Sequence, residues 1–227
     1  MGFTEENYKQ VLLFFRDKDK DLYKILMKHR YLCPPPARNL FANLIGVIIG
    51  QKIRFQMARK QRGLLYTQLG TDNFTIDDLL NRGILHLQEQ EHMSYEINID
   101  NIINYGLLFL RDIGIDETRC QTIQTVVDYL KTNDIDLINF NQLDDLKTLK
   151  GIGNWTINCV KLMHTLNSTE SDQFTTFYDH LLHEDLIIRR GIQKLYGITD
   201  LPSINNLSKS WEPWRGIVTW YLWKEFT

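Results

Sequence analysis

The sequence predicts an all-α fold, and three observations carry that expectation. Apolar residues recur at intervals of three and four along almost the whole chain, which is the period of an amphipathic helix. No stretch alternates apolar and polar residues for long enough to build a sheet. The breaks between periodic segments are of the kind that stops helices, above all the three prolines of "CPPPARN" at 33–39.

Taken in order, residues 5–29 hold one or two helices, with the charged "RDKDKD" at 16–21 as a polar turn between them. After the proline break, residues 40–70 open with a buried helix and close with an amphipathic one, the turn falling near Gly50 to Arg54. "TIDDLL" at 75–80 starts another helix, with Thr75 and Asp78 at capping-box spacing. Residues 90–103 carry no clear period, and helices return over 103–112 and 116–131. Then comes "LKGIGNWT" at 149–156. Leu143, Leu146 and Leu149 before it, and Trp155, Cys159, Leu162, Met163 and Leu166 after it, read as two amphipathic helices joined by a tight hinge. A polar insertion over 167–184 follows, and the chain closes with helices over about 186–196 and 212–225.

Composition bounds the function. A chain of 227 residues makes one large domain or two small ones with a real core, and 43% hydrophobic with 24% charged residues is the make-up of a globular protein. The net charge of −2 gives no global field for a polyanion, so any such partner needs a local basic patch. From Leu186 onward six Lys and Arg stand against three Asp and Glu, a modest excess that includes Arg189 and Arg190. The opening "MGFTEENYKQVLLFF" reads as no leader, and "LIGVIIG" is far too short to span a membrane, so no membrane is expected. Cys33, Cys120 and Cys159 are widely spaced, which points to a reducing, intracellular compartment and no cysteine-bound metal. His180 and His183 beside Glu184 sketch two ligands without a third, so no metal site is expected.

The hinge carries chemistry of its own. Gly151 and Gly153 allow positive φ and leave no Cβ between the backbone and an approaching surface. The amides opening the second helix then point outward with the positive end of its dipole, an arrangement suited to a phosphate oxygen. A plain αα-hairpin with glycine caps has the same local sequence.

"LKGIGNWT" resembles the hairpin of the helix-hairpin-helix DNA glycosylases, and further matches follow in the family's order. "LIGVIIGQKI" at 44–53 and "WEPWRGIVTWYLW" at 211–223 resemble segments of the 3-methyladenine glycosylase II branch. "EDLIIRRGIQKLYG" at 184–197 resembles the segment carrying the family's catalytic aspartate, and "DKDLYKIL" at 19–26 its entry helix. The resemblance spans nearly the whole chain. It implies compact helical subdomains flanking a base-binding cleft, with no β domain before Asp19. One subdomain would cover about 40–135, and 1–39 with 136–227 would form the other, hairpin included.

On this resemblance the catalytic carboxylate is Asp185, with Asp179 the runner-up under a shifted register. From the residues alone, Asp185 reads as the N-cap of the helix carrying Ile188, Ile192 and Leu195. Both readings can hold together, since a capping position fixes the carboxylate among amides. The resemblance further implies a DNA-backbone contact at Gly151, Ile152, Gly153, Asn154 and Thr156, and a wedge at Lys52 or Ile53 to fill the gap left by a flipped base. Trp155, Cys159 and Trp223 would line the base pocket. Relatives that also cleave the backbone have a lysine nucleophile where this chain has Trp155, so water is the expected nucleophile and no lyase activity is expected. The best-known bacterial relatives usually have a pocket tyrosine where this chain has Cys159, which bears on substrate range.

The activity implied is base excision repair on alkylated purines in damaged double-stranded DNA: 3-methyladenine, 7-methylguanine and, as a further substrate, ethenoadenine. The alternatives are an oxidised-purine (8-oxoguanine-type) glycosylase and a non-catalytic structure-specific DNA-binding protein. The chain is expected to act as a monomer, in the cytoplasm of a bacterium or the nucleus of a eukaryote. No iron–sulfur cluster is implied, for want of four closely spaced cysteines; the hairpin carbonyls are a place for a structural monovalent cation.

Overall fold

The computed structural model describes residues 3–32, 39–89, 108–135, 139–167 and 179–227, and among these every regular element is helical. Two compact units divide the chain, one made of 38–160 and the other of 1–37 with 161–227.

The 38–160 unit is built on α3, Leu40–Ile49, which is buried nearly all round and capped by the Asn39 side chain accepting from Ala42 N at 2.7 Å. A turn leads to α4, Phe55–Leu69, whose Ala58, Gln61 and Leu65 face inward. The capping box predicted at Thr75 is present at the start of α5, Ile76–Glu89. Asp78 N donates to Thr75 Oγ1 at 3.2 Å and Thr75 N to Asp78 Oδ2 at 2.8 Å. A short α6, Phe109–Asp112, and a long α7, Glu117–Thr132, follow. A 3₁₀ turn, Asp145–Thr148, precedes α8, Asn154–Asn167, which starts in this unit and runs into the other. Leu44, Ile45 and Ile48 of α3 meet Leu65, Phe74, Leu79, Ile123, Val127, Ile157 and Val160 in one continuous core.

The other unit holds α1, Glu5–Lys18, and α2, Lys20–His29, separated by the single residue Asp19. That polar turn is sharp because Asp19 ends one helix and caps the next, accepting from Leu22 N at 3.0 Å. Its other carboxylate oxygen accepts from Tyr196 Oη at 2.9 Å and Trp211 Nε1 at 3.0 Å. A half-buried carboxylate is thereby satisfied on both oxygens. Helices α9, Leu186–Tyr196, α10, Leu201–Lys209, and α11, Arg215–Phe226, complete the unit. Helices α9 and α11 approach so closely that a Cβ at Gly191 would lie 2.6 Å from the Phe226 ring.

Four differences from the sequence reading have physical causes. The hairpin groups with 38–160, not with the chain ends, because Leu143, Leu146 and Ile152 enter the core around α3. The first arm of the hairpin is a 3₁₀ turn, not an amphipathic α-helix: leucines at i, i+3 and i+6 fit three residues per turn. Helix α10 was not anticipated, although Asp200 caps it and Pro202 sits in its first turn, both standard start signals. The expected 103–112 helix is described only over Phe109–Asp112. The proline break, the stretch at 90–103 and most of the polar insertion lie outside the described residues.

Candidate active site

Glycine is required at 151 on two counts. Its φ is +91°, and a Cβ there would lie 2.4 Å from Thr122 Oγ1. The hairpin closes through Ile152 N donating to Leu149 O at 3.1 Å, with the Ile152 side chain buried in the core. Gly153 stands at the head of α8, its carbonyl accepting from Ile157 N at 3.2 Å. Space around Gly153 is open, and both it and Asn154 face outward. The Thr156 side chain does not: it is 2% exposed and its hydroxyl is held from within. Of the five hairpin residues only Asn154 therefore has a side chain to offer, and the other four offer main chain.

The group holding Thr156 is Gln51, which the sequence reading quoted but gave no role. Gln51 Nε2 donates to Gly151 O at 3.0 Å and to Thr156 Oγ1 at 2.9 Å, pinning the turn after α3 to the hairpin. Next to it Lys52 has a φ of 55°, unusual for a non-glycine residue, and is exposed, whereas Ile53 is half-buried. The turn is fixed from behind by two guanidinium groups on the carbonyl end of α3, where the helix dipole favours cations. Arg62 Nη1 donates to Gly46 O at 3.1 Å, and buried Arg119 donates to Ile49 O. Arg119 is paired through Nε with Asp116 at 2.7 Å and through Nη1 with Gln61 at 2.8 Å. Burial works against the Asp116 carboxylate, but the Arg119 amide and guanidinium outweigh it and hold its pKa below the usual range.

The pocket candidates divide between the units. Trp155, half-buried, and Cys159, 3% exposed, lie one helical turn apart on one face of α8 within the 38–160 unit. Trp223 is half-buried on α11 in the other unit, edge-to-face with Trp220 at 6.5 Å, and Trp220 Nε1 donates to Leu32 O at 3.3 Å.

Asp185 lies in the same unit as Trp223 and is the N-cap of α9. Its Oδ1 accepts from Ile187 N at 2.8 Å and Ile188 N at 3.2 Å, and the residue is 6% exposed. The loop before it is anchored to α11: Leu182 N donates to Thr219 Oγ1 at 3.3 Å. Arg215 grips Asp179 with two parallel bonds, Nε to Oδ1 at 2.8 Å and Nη2 to Oδ2 at 2.7 Å. The runner-up carboxylate thus has both oxygens engaged by a guanidinium, which also reaches Glu212 at 2.9 Å. Arg215, quoted within the closing tryptophan helix but given no task, is the anchor of this loop. Between the two aspartates, burial keeps the His180 imidazole neutral to lower pH than usual, and His183 stands 3.8 Å from Glu184. Among the described residues no group of three His, Cys, Asp or Glu side chains is placed to hold a metal.

The helices are arranged as in solved DNA glycosylases: the chain has the all-α fold of the helix-hairpin-helix DNA glycosylases. A 3-methyladenine DNA glycosylase of Schizosaccharomyces pombe, solved with abasic DNA, is similar at a TM-score of 0.61 and 18% identity, over 95% of each chain. A DNA-3-methyladenine glycosidase of Bacillus halodurans gives 0.55 and 20%, over 93% of this chain and 86% of that one. A Clostridium acetobutylicum 8-oxoguanine glycosylase/lyase, in complex with DNA, gives 0.55 and 16%, over 95% of this chain and 68% of that one. No family model and no curated protein matches the sequence. Among the described residues no helix is long and apolar enough to cross a membrane.

Proposed function

We propose that this protein is a monofunctional DNA glycosylase of base excision repair, releasing alkylated purines from damaged duplex DNA. The observation that carries the reading is Asp185: a buried carboxylate, fixed at a helix N-cap, at the place the family motif assigns to the catalytic acid. In the proposed reaction the flipped nucleotide loses its base by scission of the N-glycosidic bond, the electron pair leaving with the purine. Asp185 stabilises the positive charge that develops at C1′. Water supplies the oxygen that bonds to C1′ and gives up a proton to solvent.

Trp155 supports both halves of the specificity claim. An indole offers no amine for a Schiff base, so the strand is left intact. An electron-rich ring favours a purine made cationic by methylation at N3 or N7 over a neutral one. The substrates proposed are 3-methyladenine and 7-methylguanine, with ethenoadenine a further one. Trp155, Cys159 and Trp223 are assigned to the base, the hairpin amides to the DNA backbone, and Lys52 or Ile53 to the wedge; exposure favours Lys52. The protein would act as an intracellular monomer without a cofactor. A monovalent cation at the hairpin would use the Leu149 and Gly151 carbonyls, which already accept from Ile152 N and Gln51 Nε2 and each keep a second lone pair.

The second enzymatic reading, an oxidised-purine glycosylase with lyase activity, draws on the likeness to the Clostridium structure. One experiment separates the readings. Incubation with methylated duplex DNA, followed by chromatography of released bases, should yield methylated purines and uncut strands. Release of 8-oxoguanine instead, with a covalent adduct trapped by borohydride, would establish the alternative. Binding without release of either base would leave a structure-specific DNA-binding protein.

A further inference from the structure

The segment from Gln51 to Gly70 contains Lys52, Arg54, Arg59, Lys60 and Arg62 and no aspartate or glutamate, in a chain of net charge −2. Arg62 turns inward to the Gly46 carbonyl, and the other four are exposed. Several cations elsewhere are compensated: Lys9 by Glu6 at 3.5 Å, Lys24 by Asp21 at 3.0 Å, Lys131 by Asp77 at 2.8 Å and Lys147 by Asp144 at 2.8 Å. None of the four exposed cations of this segment has a carboxylate partner among the described residues. Helix α4 buries Ala58, Gln61 and Leu65, so Lys60 lies on the opposite face with Arg59 beside it. That face is open: a Cβ at Gly63 would meet nothing within 4 Å. Phe55 and Met57, 49% and 51% exposed, flank the positive strip with apolar surface.

The strip is also mechanically one piece with the hairpin, because Gln51 bonds Gly151 and Thr156 from the turn that carries Lys52. We propose that Arg54, Arg59 and Lys60 form a second phosphate track, which holds the sugar–phosphate backbone of duplex DNA beyond the stretch taken by the hairpin amides and the wedge at Lys52. The inference rests on the glycosylase reading for its choice of polyanion. It adds a basic surface separate from the modest positive excess that follows Leu186. Such a track carries no sequence information and makes binding steeply salt-dependent, as a protein that searches duplex DNA for rare lesions requires.

The test is titration of a fluorescent undamaged duplex at several salt concentrations, with three proteins. These are the wild type, Arg59→Gln/Lys60→Gln, and the control Lys131→Gln/Lys147→Gln, which loses the same charge from compensated positions. Losing two phosphate contacts should flatten the slope of log affinity against log salt by about 1.8 and weaken low-salt binding roughly 10-fold or more. The control should match the wild type. Equal slopes for all three proteins would overturn the track. Base release from methylated duplex, measured on the same preparations, separates the two claims. A wild type that releases bases with a slope indifferent to Arg59 and Lys60 loses the track and keeps the glycosylase. One whose slope depends on them but which releases nothing loses the glycosylase and keeps the track. A wild type that binds no duplex loses both.

Discussion

Two helix N-termini carry most of the functional argument, and they are built in opposite ways. At the head of α9 stands Asp185, whose own carboxylate accepts from the Ile187 and Ile188 amides, so the positive end of that helix is answered from within the chain. At the head of α8 stands Gly153, which has no side chain to cap with and open space around its α-carbon. The first end displays a carboxylate of its own, and the second opens on a glycine with no side chain. Helix dipoles favour anions at both. On the proposed function, the anion at α9 is the protein's own and serves chemistry, and the anion at α8 would be a partner's and serve binding.

The largest effect should come from altering the occupied end. Asp185→Asn keeps a good N-cap, so unfolding free energy should move by less than about 0.5 kcal/mol, while base release falls roughly 10²- to 10³-fold. Its counterpart Asp179→Asn should cost about 1 kcal/mol in urea unfolding through the loosened Arg215 clamp, and keep measurable release. At the open end, Gly151→Ala forces a Cβ against Thr122 at a φ of +91°. It should destabilise by about 2–3 kcal/mol in the same unfolding assay. Gly153→Asp abolishes the contrast by giving α8 an anion of its own. The helix should gain a few tenths of a kcal/mol while duplex affinity, read by fluorescence anisotropy, falls roughly 10-fold. Gln51→Ala should cost about 1 kcal/mol of stability in the same unfolding assay by leaving Thr156 and Gly151 without their donor.

The open end was the more legible of the two. Two glycines around one isoleucine, with apolar spacing on either side, are a local signal, and the local geometry followed. The cap at Asp185 was readable for the same reason, since an N-cap sits directly before its helix. What stayed hidden depends on contacts between residues distant in sequence. Gln51 meets Gly151 a hundred positions away, and Arg215 meets Asp179 thirty-six away. No periodicity announces either pair. The 3₁₀ arm before the hairpin was misread because leucines three apart satisfy both helix types. Helix α10 was missed for another reason, as its polar Asn205 and Asn206 mask a weak apolar stripe behind clear start signals.

On the proposed function the head of α9 performs chemistry and the head of α8 performs binding. The measurement that tests it most directly is a two-assay comparison of Asp185→Asn and Gly153→Asp: affinity for methylated duplex and rate of base release at saturating protein. Asp185→Asn should bind like the wild type and release almost nothing, and Gly153→Asp should bind weakly yet approach the wild-type rate once saturated. Full release by Asp185→Asn, or unaltered binding by Gly153→Asp, would contradict it.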